Sequence, residues 1–247
     1  MMAAGHPTTT ETIVAVDGPA AAGKTTTSRV LMAIFGLRYL ESGRIYRIIA
    51  AEALRRNLPP DDIAAIEALC EELLSETGPN TALASPRHTP DSLRSPAVTG
   101  LVPGVARIPG VRTHATALIR QWAADQAAPC IIEGRDIGTA VFPAAPVKFY
   151  LNATPEVRAE RRVGQESGLS YPAVLQDILR RDYQDTTRAS APLIPARDAI
   201  EIDTTDLTIQ QVIHRMATAY RARRGKDKPI RPARASDAEL GNRGAVG

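Results

Sequence analysis

Short apolar runs alternate with longer stretches of helical spacing along most of this chain. "TIVAVD" (12–17) is apolar and rich in β-branched residues, as suits a strand buried in a parallel sheet. Residues 24–35 have helical spacing and stop near Gly36. "LRYLE" (37–41) reads as a second strand. Ser42 then caps a helix running to about Arg56, where "NLPP" halts it. "APCIIE" (128–133) and "VKFYL" (147–151) are further strands. Helices follow at 155–165 and 171–185, then a last strand at 199–203 and a last helix at 207–223. Five strands separated by helices predict an open parallel α/β sheet.

Residues 61–110 depart from this alternation. The spacing predicts a helix over 61–77. The stretch 78–110 is dense in Pro, Gly, Ser and Thr and is too long for an ordinary loop. It reads as a partly irregular insertion over one end of the sheet. No internal repeat is visible.

Composition changes this picture little. A chain of 247 residues can bury a full core, and its 44% hydrophobic and 23% charged content is that of a globular protein. No run approaches the roughly 18 to 20 apolar residues of a membrane helix. The start "MMAAGHPTTTE" has neither the basic nor the apolar region of a secretory signal. Two cysteines, Cys70 and Cys130, make no disulfide framework, and the expected location is the cytoplasm. Charge is more informative when divided. The net charge is +3, but residues 221–247 carry eight Lys or Arg against three Asp or Glu. The basic excess therefore sits in a Gly/Pro/Ala/Arg-rich tail expected to be disordered, and no nucleic-acid partner is expected.

Chemistry enters at the first strand's end. Gly18, Pro19, Ala20, Ala21, Ala22, Gly23, Lys24 and Thr25 match G-x-x-x-x-G-K-[ST], with Thr26 next, between a strand and a helix. Backbone N–H groups of such a loop face phosphate oxygens, and the helix N-terminus adds partial positive charge. Lys24 is placed to reach the β- and γ-phosphates of a nucleotide and Thr25 to ligate Mg²⁺. This fixes nucleotide binding, not the destination of the phosphate.

Three further clusters lie at other strand ends. "YLESGRIYRIIA" puts Ser42, Tyr46 and Ile49 on one helical face, with Arg44 and Arg47 nearby, which suits a planar anionic ligand. "IIEGRDIGTAVFP" brings Glu133, Arg135 and Asp136 to the mouth of a crevice, where a carboxylate can hold Mg²⁺ through water or accept from an amino group. "RAERR" (158–162) and "RRDYQDTTRASAPL" (180–193) supply the cations of an arginine-rich cover. Alone, each also fits a solvated helix face or a surface ion pair.

Together these segments resemble the bacterial cytidylate kinases, a branch of the nucleoside monophosphate kinases. The resemblance covers about residues 13–220. It rests on the phosphate loop, "SGxIYR" (42–47), "PxVR" (109–112), "GRDIGTxVFPxAxVKFYL" (134–151) and "RDxxDxxRxxAPLxPAxDA" (181–199). It implies a phosphate-loop nucleoside-triphosphatase fold: a five-stranded parallel sheet flanked by helices, with a monophosphate-binding insertion and an arginine-rich lid. The implied division is a flexible 1–11 and a kinase domain over 12–224, followed by a disordered basic tail at 225–247. Within the domain, 12–40, 111–154 and 190–224 form the core, 41–110 the monophosphate-binding part and 155–189 the lid. The implied reaction passes phosphate from ATP to CMP or dCMP with Mg²⁺, in a monomer. Carried over by position, Ser42, Arg112 and Asp136 face the cytosine and Tyr46 packs beside the monophosphate. Arg47 and Arg135 hold its phosphate, with Arg188 nearby, while Arg181 and Asp185 hold the sugar hydroxyls or the adjacent phosphate. Arg161 and Arg162 belong to the lid that meets ATP, and Lys24, Arg135, Arg161 and Arg188 are the catalytic set. Glu41 and Glu133 stand where the family has Asp, and Pro103 where it commonly has a base-contacting Ser. Without the resemblance, a kinase for UMP or a sugar acid and a nucleotide-dependent switch stay open, although no guanine-reading N-K-x-D occurs.

Overall fold

The computed structural model describes residues 12–84, 87–165 and 168–224, and no side chains within 74–84. The expectations for 1–11 and for the tail 225–247 lie outside these residues. The layering follows from the middle strand. Every residue of β1 (Ile13–Asp17) is buried. Ile13 and Ala15 enter one hydrophobic core, Val14 and Val16 another, as period-two alternation demands when both faces are covered. β3 (Cys130–Gly134) and β4 (Val147–Asn152) flank it; β2 (Arg38–Glu41) and β5 (Ile200–Asp203) are the edges. The order is β2-β3-β1-β4-β5 with every pair parallel, so the expected five-stranded sheet is the observed one. The chain leaves β1 for the β2 edge and β3 for β4 on the opposite side of β1, and this reversal opens a crevice at the carboxyl ends of the strands.

On one face α1 (Lys24–Phe35) and α8 (Ile209–Arg224) cover the sheet, with Leu31, Val212, Met216 and Tyr220 packed on Phe149 and Leu151. On the other face lie α2 (Gly43–Arg55), α3 (Ile63–Ala84), α4 (Pro96–Val105) and α5 (Pro109–Ala124). A third, small cluster of Ala159, Val174 and Ile178 joins α6 (Pro155–Gln165) to α7 (Tyr171–Thr187).

The insertion differs from its reading as a partly irregular stretch. α3 runs on to Ala84, and α4 forms despite Gly100, Pro103 and Gly104. Its start has local support, since Pro96 occupies the first turn and Ser95 Oγ accepts from the Val98 N–H at 3.4 Å. Burial of Val98 and Val105 offsets the breakers. The start of α5 depends on a residue far away: Glu67 of α3 accepts the Gly110 N–H at 3.1 Å. Ser42 sits at the start of α2 as expected, but its hydroxyl caps nothing. It is buried against Gly134, where a Cβ would come within 2.6 Å of it. No described helix is long and apolar enough to cross a membrane.

Candidate active site

A cleft of about 840 Å³ opens at the carboxyl ends of the strands. Its floor is the turn between β1 and α1. Gly18 has φ +144°, and a Cβ there would lie 2.0 Å from the Leu151 carbonyl oxygen. Only glycine lets the loop pass β4 so closely. Gly23, at φ 92°, turns the backbone into α1. Ala20 through Thr26 line the cleft, whereas Gly18 and Pro19 lie beneath it. Their carbonyls accept from Lys24 Nζ at 2.8 and 2.7 Å. Burial first, and Arg135 second, lower the Lys24 ammonium to about 7.

Beside the loop, Glu133 at the end of β3 accepts two hydroxyls on one oxygen, from Thr25 at 2.7 Å and from Tyr39 at 2.8 Å. Its second oxygen, Oε2, is buried with no hydrogen-bond partner. Burial raises the Glu133 carboxyl, with Lys24 opposing. A buried carboxylate oxygen and a threonine hydroxyl on the phosphate side form a hard oxygen donor set.

Further along, Asp136 is buried between two guanidinium groups. Arg112 bonds its Oδ2, and Arg188 Nη2 lies 3.6 Å from Oδ1. Arg112 also sits over the Tyr46 ring, 5.7 Å from its centroid. Arg135 bridges the two halves of the cleft, donating to the Gly18 carbonyl at 2.8 Å and to Asp185 at 2.9 Å. Arg47 donates to Leu93 O and Thr99 Oγ1, both at 3.0 Å, and lines the cleft. Arg44 does not line it, but donates to the His88 carbonyl at 2.7 Å and helps to hold the insertion on α2. Ile49 joins the core instead of the cleft.

From the cover come Arg161, held on Thr204 Oγ1 at 2.9 Å, Arg162, 3.3 Å from Asp177, and Arg181, 2.9 Å from Asp177. Ser42, Tyr46, Arg112, Arg135, Asp136, Arg181, Asp185 and Arg188 all reach the same cleft. Gln184 Oε1 and Arg188 Nη2 are buried there without hydrogen-bond partners, as is Glu133 Oε2. Buried polar atoms left unpaired are costly; Glu133 Oε2 and Gln184 Oε1 have no partner, Arg188 Nη2 has only its 3.6 Å ion pair with Asp136, and together they mark a place for a polar ligand.

The same segments carry a family signature. The model of the family described as "Cytidylate kinase" matches residues 14–222. The chain belongs to the cytidylate kinase family. Among its relatives, a cytidylate kinase of Corynebacterium glutamicum is 43% identical over 209 residues, 81% of this chain and 90% of the relative. One of Thermus thermophilus is 42% identical over 205 residues, 81% and 94% of the two chains. One of Streptomyces avermitilis is 39% identical over 220 residues, 86% and 94%.

Sequence reasoning passed over several cleft and supporting residues of this family member. Thr204, Leu207, Ile209 and Val212 line the cleft beside the phosphate loop. Their signal was the loop "DTTDLT" at the end of a predicted strand. Arg158 is fully buried: it pairs with Asp182, donates to Ala153 O at 2.9 Å and reaches Ala20 O at 3.3 Å. Within "RAERR" nothing separates this anchor from its neighbours. Asp17 closes β1 and is also buried.

Proposed function

We propose that this chain catalyses ATP-dependent phosphorylation of CMP and dCMP to CDP and dCDP. The observation that carries the reading is one cleft with two unlike halves. One half is the phosphate loop, and the other is the buried Arg112–Asp136–Arg188 group, with Arg135 spanning between them. Cytosine offers an exocyclic amino donor and acceptors at its ring nitrogen and carbonyl. A carboxylate beside an arginine complements that edge. Uracil inverts the amino position and leaves a buried group unpaired, at a cost of roughly 1–3 kcal/mol.

In this reading an oxygen of the CMP phosphate attacks the γ-phosphorus of ATP in line. The new P–O bond forms as the bond from γ-phosphorus to the β-phosphate oxygen breaks, leaving ADP. The acceptor is already anionic, so no general base is needed, and catalysis rests on positioning and charge stabilisation. Lys24 exchanges the Gly18 and Pro19 carbonyls for phosphate oxygens, and contact with phosphate favours its charged form. Arg135, Arg161 and Arg188 screen the charge that builds between the two phosphates. Arg47 holds the acceptor phosphate, Arg181 and Asp185 its sugar side, and Arg162 the ATP side. Ser42 and Tyr46 wall the acceptor. Thr25, with Glu133 through water, would hold Mg²⁺, whose bound charge neutralises the β- and γ-phosphates.

The test is ADP release from ATP across a panel of nucleoside monophosphates. CMP and dCMP are expected to be the best acceptors. Activity on none of the panel overturns the kinase reading. Lys24→Ala should lower turnover by orders of magnitude, and near-normal turnover in that variant would remove the phosphate-loop assignment.

A further inference from the structure

The carboxylate that ends β1 belongs to neither half of the cleft, yet it touches the segment that joins them. Asp17 Oδ1 accepts the Ile137 N–H at 2.8 Å, and Oδ2 accepts the Gly138 N–H at 2.7 Å. The side chain is buried at 4% exposure, and no solvent replaces these bonds. One residue past β1, the Gly18 carbonyl accepts from the Arg135 side chain. The end of β1 therefore holds the segment after β3 at residue 135 on one side and at 137 and 138 on the other. Asp136 is the residue between these holds. Its backbone (φ −149°, ψ 24°) starts the π-helical turn Ile137–Val141, and its carbonyl accepts from the Ala140 and Val141 amides at 2.9 and 3.1 Å.

A strand needs no such device to end, and the strand register between β1 and β3 is already set as far as Asp17 and Gly134. What the two extra bonds fix is the direction in which Asp136 leaves the backbone. We infer that Asp17 is a positioning residue of the acceptor site: by clamping two consecutive amides it aims Asp136 and Arg135 at the incoming monophosphate. The inference rests on the proposed CMP kinase reading. The charged groups facing Asp17 are Lys24 and Asp136, with the stem of Lys148 packed against the same turn at Gly138.

The clamp can be perturbed from either side. Asp17→Asn keeps the shape but turns one acceptor into an amide that faces an N–H. Gly138→Ala leaves Asp17 intact and adds a methyl 3.1 Å from Lys148 Cδ and 3.4 Å from Asp17 Oδ2. In Asp17→Asn the KM for CMP should rise about 10-fold or more and the CMP-over-UMP preference should fall by a similar factor, with the KM for ATP within about 2-fold. Gly138→Ala should shift the same two quantities in the same direction by less. Backbone amides of residues 134–141 should exchange faster with deuterium in Asp17→Asn, and those of α1 should not. An unchanged acceptor KM and preference, or an equal rise in both KM values, overturns the positioning role. If Asp17→Asn does not fold, Gly138→Ala decides alone, and wild-type acceptor behaviour there overturns it. A wild-type chain without CMP kinase activity defeats the proposed function instead, a result distinct from either variant's.

Discussion

In its proposed role at the phosphate loop, Lys24 sets stability against function. Its ammonium is buried on two carbonyls, and burial lowers it from its ordinary 10.5 to about 7. The folded chain thus holds fewer protons here than the unfolded chain between about pH 7 and 10.5, and stability rises with pH across that window. At and below pH 7 the charged form costs stability until phosphate arrives. Lys24→Met should therefore raise the melting temperature of the unliganded chain near pH 7 by a few degrees, roughly 2–4 °C per kcal/mol for this size. The difference should shrink toward about pH 10, and ATP should no longer shift the transition. Calorimetry across that pH range checks both. Asp136 poses a different question, since both of its oxygens face guanidinium groups. Asp136→Ala should relax the choice of CMP over UMP, measured as the ratio of kcat/KM values. Unchanged discrimination would remove its base-reading role.

At the scale of elements, Arg158 ties the cover directly to the phosphate loop. Arg158 of α6 is 2% exposed, pairs with Asp182 of α7, and donates to the loop at Ala20 and to the end of β4 at Ala153. An arginine fork suits this junction because its donors diverge in a plane. Removing Arg158 leaves a cavity where its guanidinium lay buried and takes a partner from Asp182, which is itself 24% exposed. Arg158→Ala should cost about 3 kcal/mol in urea unfolding. Arg158→Lys should recover only part of that, because an ammonium does not span Asp182, Ala153 and Ala20 together. On the other side of the cleft, α4 and α5 show how tertiary contacts make helices. Val111, Ala115, Leu118 and Ile119 give α5 a regular apolar face, and Pro109 marks its first turn. That signal was in the sequence. Its N-terminal partner, Glu67, is 43 residues away and was not. In α4 the local signals opposed each other: Ser95-Pro96 favours a helix start, and Gly100, Pro103 and Gly104 favour none.

At the scale of the molecule, every cleft residue among the described ones lies from Ala20 to Val212, and the last described helix ends at Arg224. A chain ending at Arg224 should keep the activity of the full chain, and loss of acceptor turnover in that truncation would assign the basic tail a part in it. The parallel α/β sheet was legible because buried strands and amphipathic helices leave opposite periodicities in the sequence. The phosphate loop was legible because its glycines, lysine and threonine act within one turn of chain. The arginines and Asp136 could be named from motifs, but motifs state residue types and not partners. Arg161 on Thr204, Arg135 between Gly18 and Asp185, and Asp17 on two amides 120 and 121 residues away join points far apart in the chain. The sequence by itself determined the five strands, the phosphate loop and the helices whose local signals agree, since those depend on near neighbours. Only the tertiary structure decided which way the proposed acceptor half points, because that direction is held by buried hydrogen bonds across strand ends that folding alone brings together.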